Sequence, residues 1–446
     1  MKRITGIALA ASMLLSVPFV NAMADDDRAH TLKVYNWADY IDEDLIPEFE
    51  QWYLENTGEE VHVLYQTFDV NEVMLTKIET GHEDYDVVCP SEYIIERMLK
   101  HDLLLPLDRN FGNVPDYTKN VAPFVTEQMN HMSTEDKTLS DYAVGFMWGT
   151  TGIMYNTALV TKEEAQTWGI LWNPRFEGKI LMKDAVRDVY GSVMLYLRQD
   201  ELASGAITLE QAMNEATDDK LKFFEDTMNC AKRNFGGWEV DFGKERMIQG
   251  KAWINLTWSG DAMWAIEEVS DEISLDYVVP VEGSNVWFDG WVIPRYAKNP
   301  KAANWFINFM CMSENALRNM DAIGYVSVIG TPEVLASKID ESLEETVDLT
   351  YFFGQGADSV KVNGIQYPDA SVIERCALMH DAGDRTEAML GMWSRVKGDS
   401  LNTGMILVIA VAAAVIAVVI IMRSLSRKRQ SSRSSRAKKS APKHSR

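Results

Sequence analysis

Between Thr31 and Cys89 the sequence alternates two hydrophobic periods, and this alternation restricts the fold more than any other feature of the chain. Leu32, Val34 and Tyr35 mark a strand. Leu45, Ile46, Phe49, Trp52 and Tyr53 then recur at helical spacing until Gly58 stops them. Val61, Val63 and Tyr65 alternate as a second strand, Asn71 to Glu79 reads as a helix ended by Gly81, and Tyr85-Asp86-Val87-Val88-Cys89 is a third strand. A β-α-β-α-β order predicts a parallel sheet with helices on both faces, in which ligands collect at the carboxyl ends of the strands. The segments that follow two of these strands, Asn36-Trp37-Ala38-Asp39-Tyr40 and Pro90-Ser91-Glu92-Tyr93, are rich in aromatic and polar side chains.

From about Asp141 the pattern restarts. Strands are expected around Ala143 to Trp148 and Gly152 to Tyr155, a helix from Thr208 to Met228, and strands at Trp253 to Trp258 and Leu275 to Pro280, before Val286-Trp287-Phe288-Asp289-Gly290-Trp291-Val292. Two α/β lobes of similar size are the natural division, and nothing resembles a tandem repeat.

The ends of the chain carry a different kind of signal. Residues 1–24 have the basic Lys2-Arg3, an apolar run to Val20 and Ala22-Met23-Ala24, the three parts of a secretory signal peptide with cleavage expected near Asp25. No cysteine lies at that boundary, so a lipid-modified N-terminus is not available. Met405 to Met422 has 18 residues without a charge or proline, enough to span roughly 27 Å as a helix. The basic tail that follows, residues 423–446, fits the retained-inside pattern. The expected topology is an exported body in the periplasm or on the outer face of the cytoplasmic membrane, one transmembrane helix at 405–422, and a cytoplasmic tail.

The net charge of −23 conceals how acidic that body is. The last 24 residues hold ten Lys or Arg and no acid, and Lys2 and Arg3 add two more bases; without those twelve the remainder carries −35. Nucleic acid is excluded as a partner for such a surface, whereas a cation fits it, although most acidic faces are simply solvated. Four cysteines, Cys89, Cys230, Cys311 and Cys376, lie where disulfides are permitted, but their spacing selects none of the three pairings and suits free thiols equally well.

No catalytic signature is present: no His-Glu-x-x-His, no Gly-x-Ser-x-Gly, no phosphate loop, no dinucleotide fingerprint, and no histidine pair at metal-ligand spacing. Neither an enzyme, a cofactor nor a metal is expected. What recurs is an aromatic beside a carboxylate at expected strand ends: Trp37 with Asp39 and Tyr40, Trp258 with Asp261, Trp287 with Asp289. Any one of these tryptophans alone is more often a core residue than a ligand wall. Together they describe a cleft for an organic cation, because indole faces attract cations by about 0.5–2 kcal/mol each and a neighbouring carboxylate supplies the charge-assisted hydrogen bond a desolvated ammonium needs. An aliphatic chain with an amine at each end matches both.

Five fragments carry a resemblance to a known family. Tyr35-Asn36-Trp37-Ala38-Asp39-Tyr40, Pro90-Ser91-Glu92-Tyr93, Trp258-Ser259-Gly260-Asp261, Trp287-Phe288-Asp289 and Ile323-Gly324-Tyr325 stand in the order and approximate spacing of bacterial spermidine/putrescine-binding receptors of polyamine ABC importers. The likeness runs from about Thr31 to Lys397. It implies a type II two-lobed periplasmic-binding-protein fold, with residues 31–141 and about 289–332 in the N-terminal lobe and 142–288 and about 333–400 in the C-terminal lobe. It also implies a polyamine ligand and ABC permease subunits as partners. By the same resemblance Trp37, Tyr40, Tyr93, Trp258, Trp287 and Tyr325 wall the methylene chain, Asp39 and Asp289 hold amines, Ser91 adds a hydrogen bond, and Asp188 is the acid of the second lobe. Asp261 and Asp39 are the choices of putrescine-type members.

Three departures leave diamine and triamine both open, with a lean to putrescine or mixed specificity. Ala185 stands where the spermidine type has an amine-binding aspartate, with Asp184 one place before it; a glutamine near Met379 is missing; and Ala38 replaces a hydroxyl residue. A membrane-anchored sensor of the same ligand, an exported enzyme using the acidic cleft, and a receptor of this fold for another small solute are the alternatives.

Overall fold

The computed structural model describes residues 28–398. The signal segment 1–24, the apolar run 405–422 and the basic tail 423–446 lie outside the described residues. Met1–Leu390 groups as one compact unit and Gly391–Arg446 as another, and every residue of the site discussed below belongs to the first.

The opening alternation folds as expected. Strand β1 (Thr31–Trp37) leads to helix α1 (Leu45–Thr57), strand β2 (His62–Phe68), helix α2 (Asn71–Glu79), strand β3 (Val87–Val88) and helix α3 (Glu92–Lys100). β1 lies between β2 and β3 and is parallel to both, with Thr31 opposite His62 and Val34 opposite Val87. α1 buries Leu45, Phe49 and Tyr53 and ends at Gly58, whose φ of 73° lets its N–H close on the Leu54 carbonyl.

The remaining strands are β4 (Ala143–Asn156), β5 (Ile180–Lys183), β6 (Phe235–Glu239), β7 (Ile254–Trp258), β8 (Leu275–Val278), β9 (Ser284–Val292), β10 (Val326–Ser327) and β11 (Cys376–Ala377). The sheet runs β2-β1-β3-β9-β4-β7-β5-β6, with β8 and β10 also on β4 and β11 on β9. β4 and β9 are buried along their whole length, so each apolar side chain they seal from water adds roughly 1.5–3 kcal/mol. β4 hands its partners over midway: Ala143 to Thr150 pair with β9, and Thr151 to Tyr155 pair with β7.

Several expectations need correction. The two strands expected at Ala143 to Trp148 and Gly152 to Tyr155 are one, because Gly149-Thr150-Thr151-Gly152 continues the strand through the partner change. The helix expected from Thr208 to Met228 is two, Leu209–Asn214 and Asp218–Ala231, because Thr208 and Thr217 each cap a separate start. A fold with a C-terminal transmembrane helix is not supported. Among the described residues no helix is long and apolar enough to cross a membrane. The longest, Asp218–Ala231, has 14 residues, about 21 Å against a bilayer core of about 30 Å. All four cysteines are free.

Candidate functional site

Three strand ends feed helix starts that carry polar groups. β3 leads through Ser91 into α3, whose first residue is Glu92. β5 leads into helix α4 (Val186–Leu197), with Asp188 in its first turn. β7 leads into helix α5 (Ser259–Glu268), with Asp261 in its first turn. Acids suit these positions because the first backbone N–H groups of a helix point at them. Asp289 departs from the expected strand-end placement: it lies inside β9, two residues after Trp287 and therefore on the same face.

The first group of site residues forms around that carboxylate. Tyr40 Oη donates to Asp289 Oδ2 at 2.7 Å and Ser91 Oγ donates to Asp289 Oδ1 at 2.7 Å; Ser91 and Asp289 also face each other in an antiparallel bridge. Asn71 Nδ2 donates to Ser91 Oγ at 3.0 Å and to Tyr93 Oη at 3.1 Å, and Tyr93 in turn donates to Glu72. Asp289 is 6% exposed. Burial pushes its carboxyl up to about 7 against the opposing bonds from Ser91 and Tyr40, with the charge of Asp188 adding to the rise. Glu92, fully buried below, accepts from the Phe288 N–H, and burial together with Asp289 holds it well above the usual carboxylate range.

The second group gathers around Trp258. Its indole Nε1 donates to Asp188 Oδ1 at 2.9 Å, which also accepts from Asn285 and Thr151. Lys183, 1% exposed at the end of β5, places its ammonium 2.6 Å from Asp261 Oδ2, 3.4 Å from Glu239 and 4.0 Å from the Trp258 ring centroid. Tyr325 Oη donates to the other Asp261 oxygen at 2.9 Å. Burial raises the Asp261 carboxyl, yet Lys183 and Lys244 outweigh it and hold the group below its ordinary value. Burial likewise lowers Lys183, and Asp261 and Glu239 more than reverse it.

Tyr325 joins the two groups. Its ring meets Tyr40 edge-on at 5.1 Å and Trp287 at 5.7 Å. It follows Gly324, which ends helix α6 (Ser313–Ile323) at φ 78°, and it lies against Gly260, where a Cβ would come within 2.3 Å of the phenol ring. Glycine at 260 is therefore required by contact and at 324 by backbone conformation.

The structure thus brings together Tyr40, Ser91, Tyr93, Asp188, Trp258, Asp261, Trp287, Asp289 and Tyr325. Trp37 is half-buried at the end of β1 and packs on Phe68 at 4.6 Å. Asp39 is exposed in the turn after β1 at φ 50° and makes no hydrogen bond or ion pair with these groups. Lys183, Glu239, Asn71 and Glu92 were not foreseen. The signal for Lys183 is a lone charge ending the apolar run Ile180-Leu181-Met182; Glu92 stands in the Pro90-Ser91-Glu92-Tyr93 fragment but has no expected role there, and Glu239 and Asn71 have no local signal. Among the described residues no cluster of His, Cys, Asp and Glu is placed to hold a metal. Chemically, the arrangement offers buried carboxylates between aromatic faces.

Residues 45–345 match the family of bacterial extracellular solute-binding proteins. The chain belongs to that family. Its family is one of solute receptors rather than of enzymes. The spermidine/putrescine-binding periplasmic protein of Escherichia coli K12 is 28% identical to this solute-binding protein over 381 residues, 84% of this chain and 93% of the relative. The putrescine-binding periplasmic protein PotF of the same organism is 27% identical over 350 residues, 75% and 87% of the two chains. Among solved structures, the spermidine/putrescine ABC transporter substrate-binding protein PotD from Streptococcus pneumoniae superposes with a TM-score of 0.58 at 30% identity, covering 82% of this chain and 97% of that one. The fold and the resemblance read from the five fragments therefore agree with the relatives.

Proposed function

We propose that this protein is an extracytoplasmic receptor that binds a polyamine, putrescine or spermidine, and delivers it to the permease of an ABC importer. The observation that carries the reading is Asp289, a buried carboxylate braced by Tyr40 and Ser91 beside the rings of Trp287 and Tyr325. A bare carboxylate in such surroundings is costly, and an ammonium replaces the missing solvation with a charge-assisted hydrogen bond. Asp188, held by Trp258 and Asn285, is the second anion and receives the other amine. Trp37, Tyr93 and Trp287 cover the methylene chain, and Asp39, exposed at the rim, acts on the approaching cation. Asp261 belongs to the same site through Tyr325.

In this reading residues 31–141 with about 289–332 and residues 142–288 with about 333–400 act as two lobes that close on the ligand, with the partner change in β4 between them. Native mass spectrometry of the purified protein tests the function. A bound mass of a diamine or triamine, exchangeable for added putrescine, is expected. A protein that takes up no added polyamine while remaining folded contradicts the reading.

A further inference from the structure

Lys183 makes the contacts that a ligand amine would make. Its ammonium lies on the Trp258 face at 4.0 Å, bonds Asp261 at 2.6 Å and reaches Glu239 at 3.4 Å, all at 1% exposure. An aromatic face, a short carboxylate contact and near-complete desolvation are the three features that hold an organic cation. Asp261, unlike Asp289, already faces ammonium groups of the chain itself: Oδ2 meets Lys183, Lys244 stands 3.9 Å from Oδ1, and Oδ1 also accepts from Tyr325.

We infer that Lys183 is a built-in occupant of one cation subsite, so that the receptor takes a diamine and rejects a third ammonium. This rests on the polyamine reading above. With Asp261 neutralised from within, the carboxylates left to face a ligand are Asp289 and Asp188, one for each end of a diamine. A third charge directed along Trp258 meets the buried Lys183 ammonium at close range, where like charges are screened least. Selectivity of this kind comes from repulsion of the wrong ligand as much as from attraction of the right one.

Calorimetry on the ligand-stripped full chain, with putrescine and spermidine as the probes, tests the inference in wild type and Lys183→Met. The wild type is expected to bind putrescine at least tenfold more tightly than spermidine. Lys183→Met is expected to tighten spermidine at least tenfold relative to putrescine, a change in ratio that a merely structural role for Lys183 would not produce. If the single variant does not fold, Lys183→Met/Glu239→Gln removes both buried charges and leaves Asp261 for the ligand, with the same expected ratio. Wild type binding both polyamines equally, or an unchanged ratio in a folded variant, overturns the inference while leaving the polyamine reading intact. Binding of neither probe by the wild type overturns both.

Discussion

Tyr40 and Asp289 stand 249 residues apart in sequence and share a 2.7 Å hydrogen bond. That bond ties the turn after β1 to the middle of β9 and turns a buried carboxylate into a braced acceptor. Everything proposed for the site depends on Asp289 being anionic in the complex, and on its two oxygens being held in place by Tyr40 and Ser91.

Asp289→Asn is therefore expected to weaken polyamine binding more than tenfold, because a buried ammonium would lose its charged partner. Titration calorimetry at neutral pH reads this directly, with the circular dichroism melt confirming the fold. Unchanged affinity in a folded variant removes Asp289 from the site.

The pH dependence follows from the same carboxyl. Without ligand, burial pushes Asp289 to about 7, above its unfolded value. Between the ordinary carboxylate range and pH 7 the folded protein holds a proton that the unfolded chain has released, so this group's contribution to stability falls as pH rises through that window. A bound ammonium favours the ionised form and expels the proton. Putrescine is thus expected to bind roughly tenfold or more weakly at pH 5.5 than at pH 7.5, and calorimetry in buffers of different ionisation enthalpy should detect proton release below pH 7. Affinity independent of pH across that range would count against the assignment.

Gly260→Ala is expected to displace Tyr325, since the added Cβ would lie 2.3 Å from the phenol ring. Losing the Tyr325 contacts with Asp261, Tyr40 and Trp287 should cost at least tenfold in polyamine affinity, with a stability loss of about 1–3 kcal/mol from overpacking. A denaturant melt and a binding titration on the same variant separate the two effects.

Thr217→Ala tests why the expected helix from Thr208 to Met228 is broken. Thr217 caps the second helix by accepting from the Lys220 N–H, so its loss is expected to cost about 1 kcal/mol of stability and to leave polyamine affinity unchanged. An unchanged denaturation midpoint would show that the cap is not what starts this helix.

Much of the fold was legible because local periodicity and tertiary packing agree between Thr31 and Cys89, where apolar residues at strand and helix spacing become the buried faces of β1, α1, β2 and α2. Gly149-Thr150-Thr151-Gly152 misled because small and β-branched residues serve a turn and a buried strand alike; only the partners of β4 distinguish them. At the site, aromatic-carboxylate neighbours pointed to Tyr40, Trp258, Asp261, Trp287 and Asp289, since each pair is local in sequence. Asn71 and Glu239 act through contacts between distant segments, which no local pattern marks, and Lys183 is marked only by the charge that ends the apolar run Ile180-Leu181-Met182. Asp39 shows the converse, a good local match whose left-handed turn leaves it exposed.

The most direct test of the central claim is a calorimetric titration of the ligand-stripped full chain with putrescine at pH 7.5. Saturable binding of one putrescine per chain, accompanied by a rise in melting temperature, is the predicted result. A folded protein that gives neither binding heat nor a melting shift with putrescine or spermidine would contradict the account.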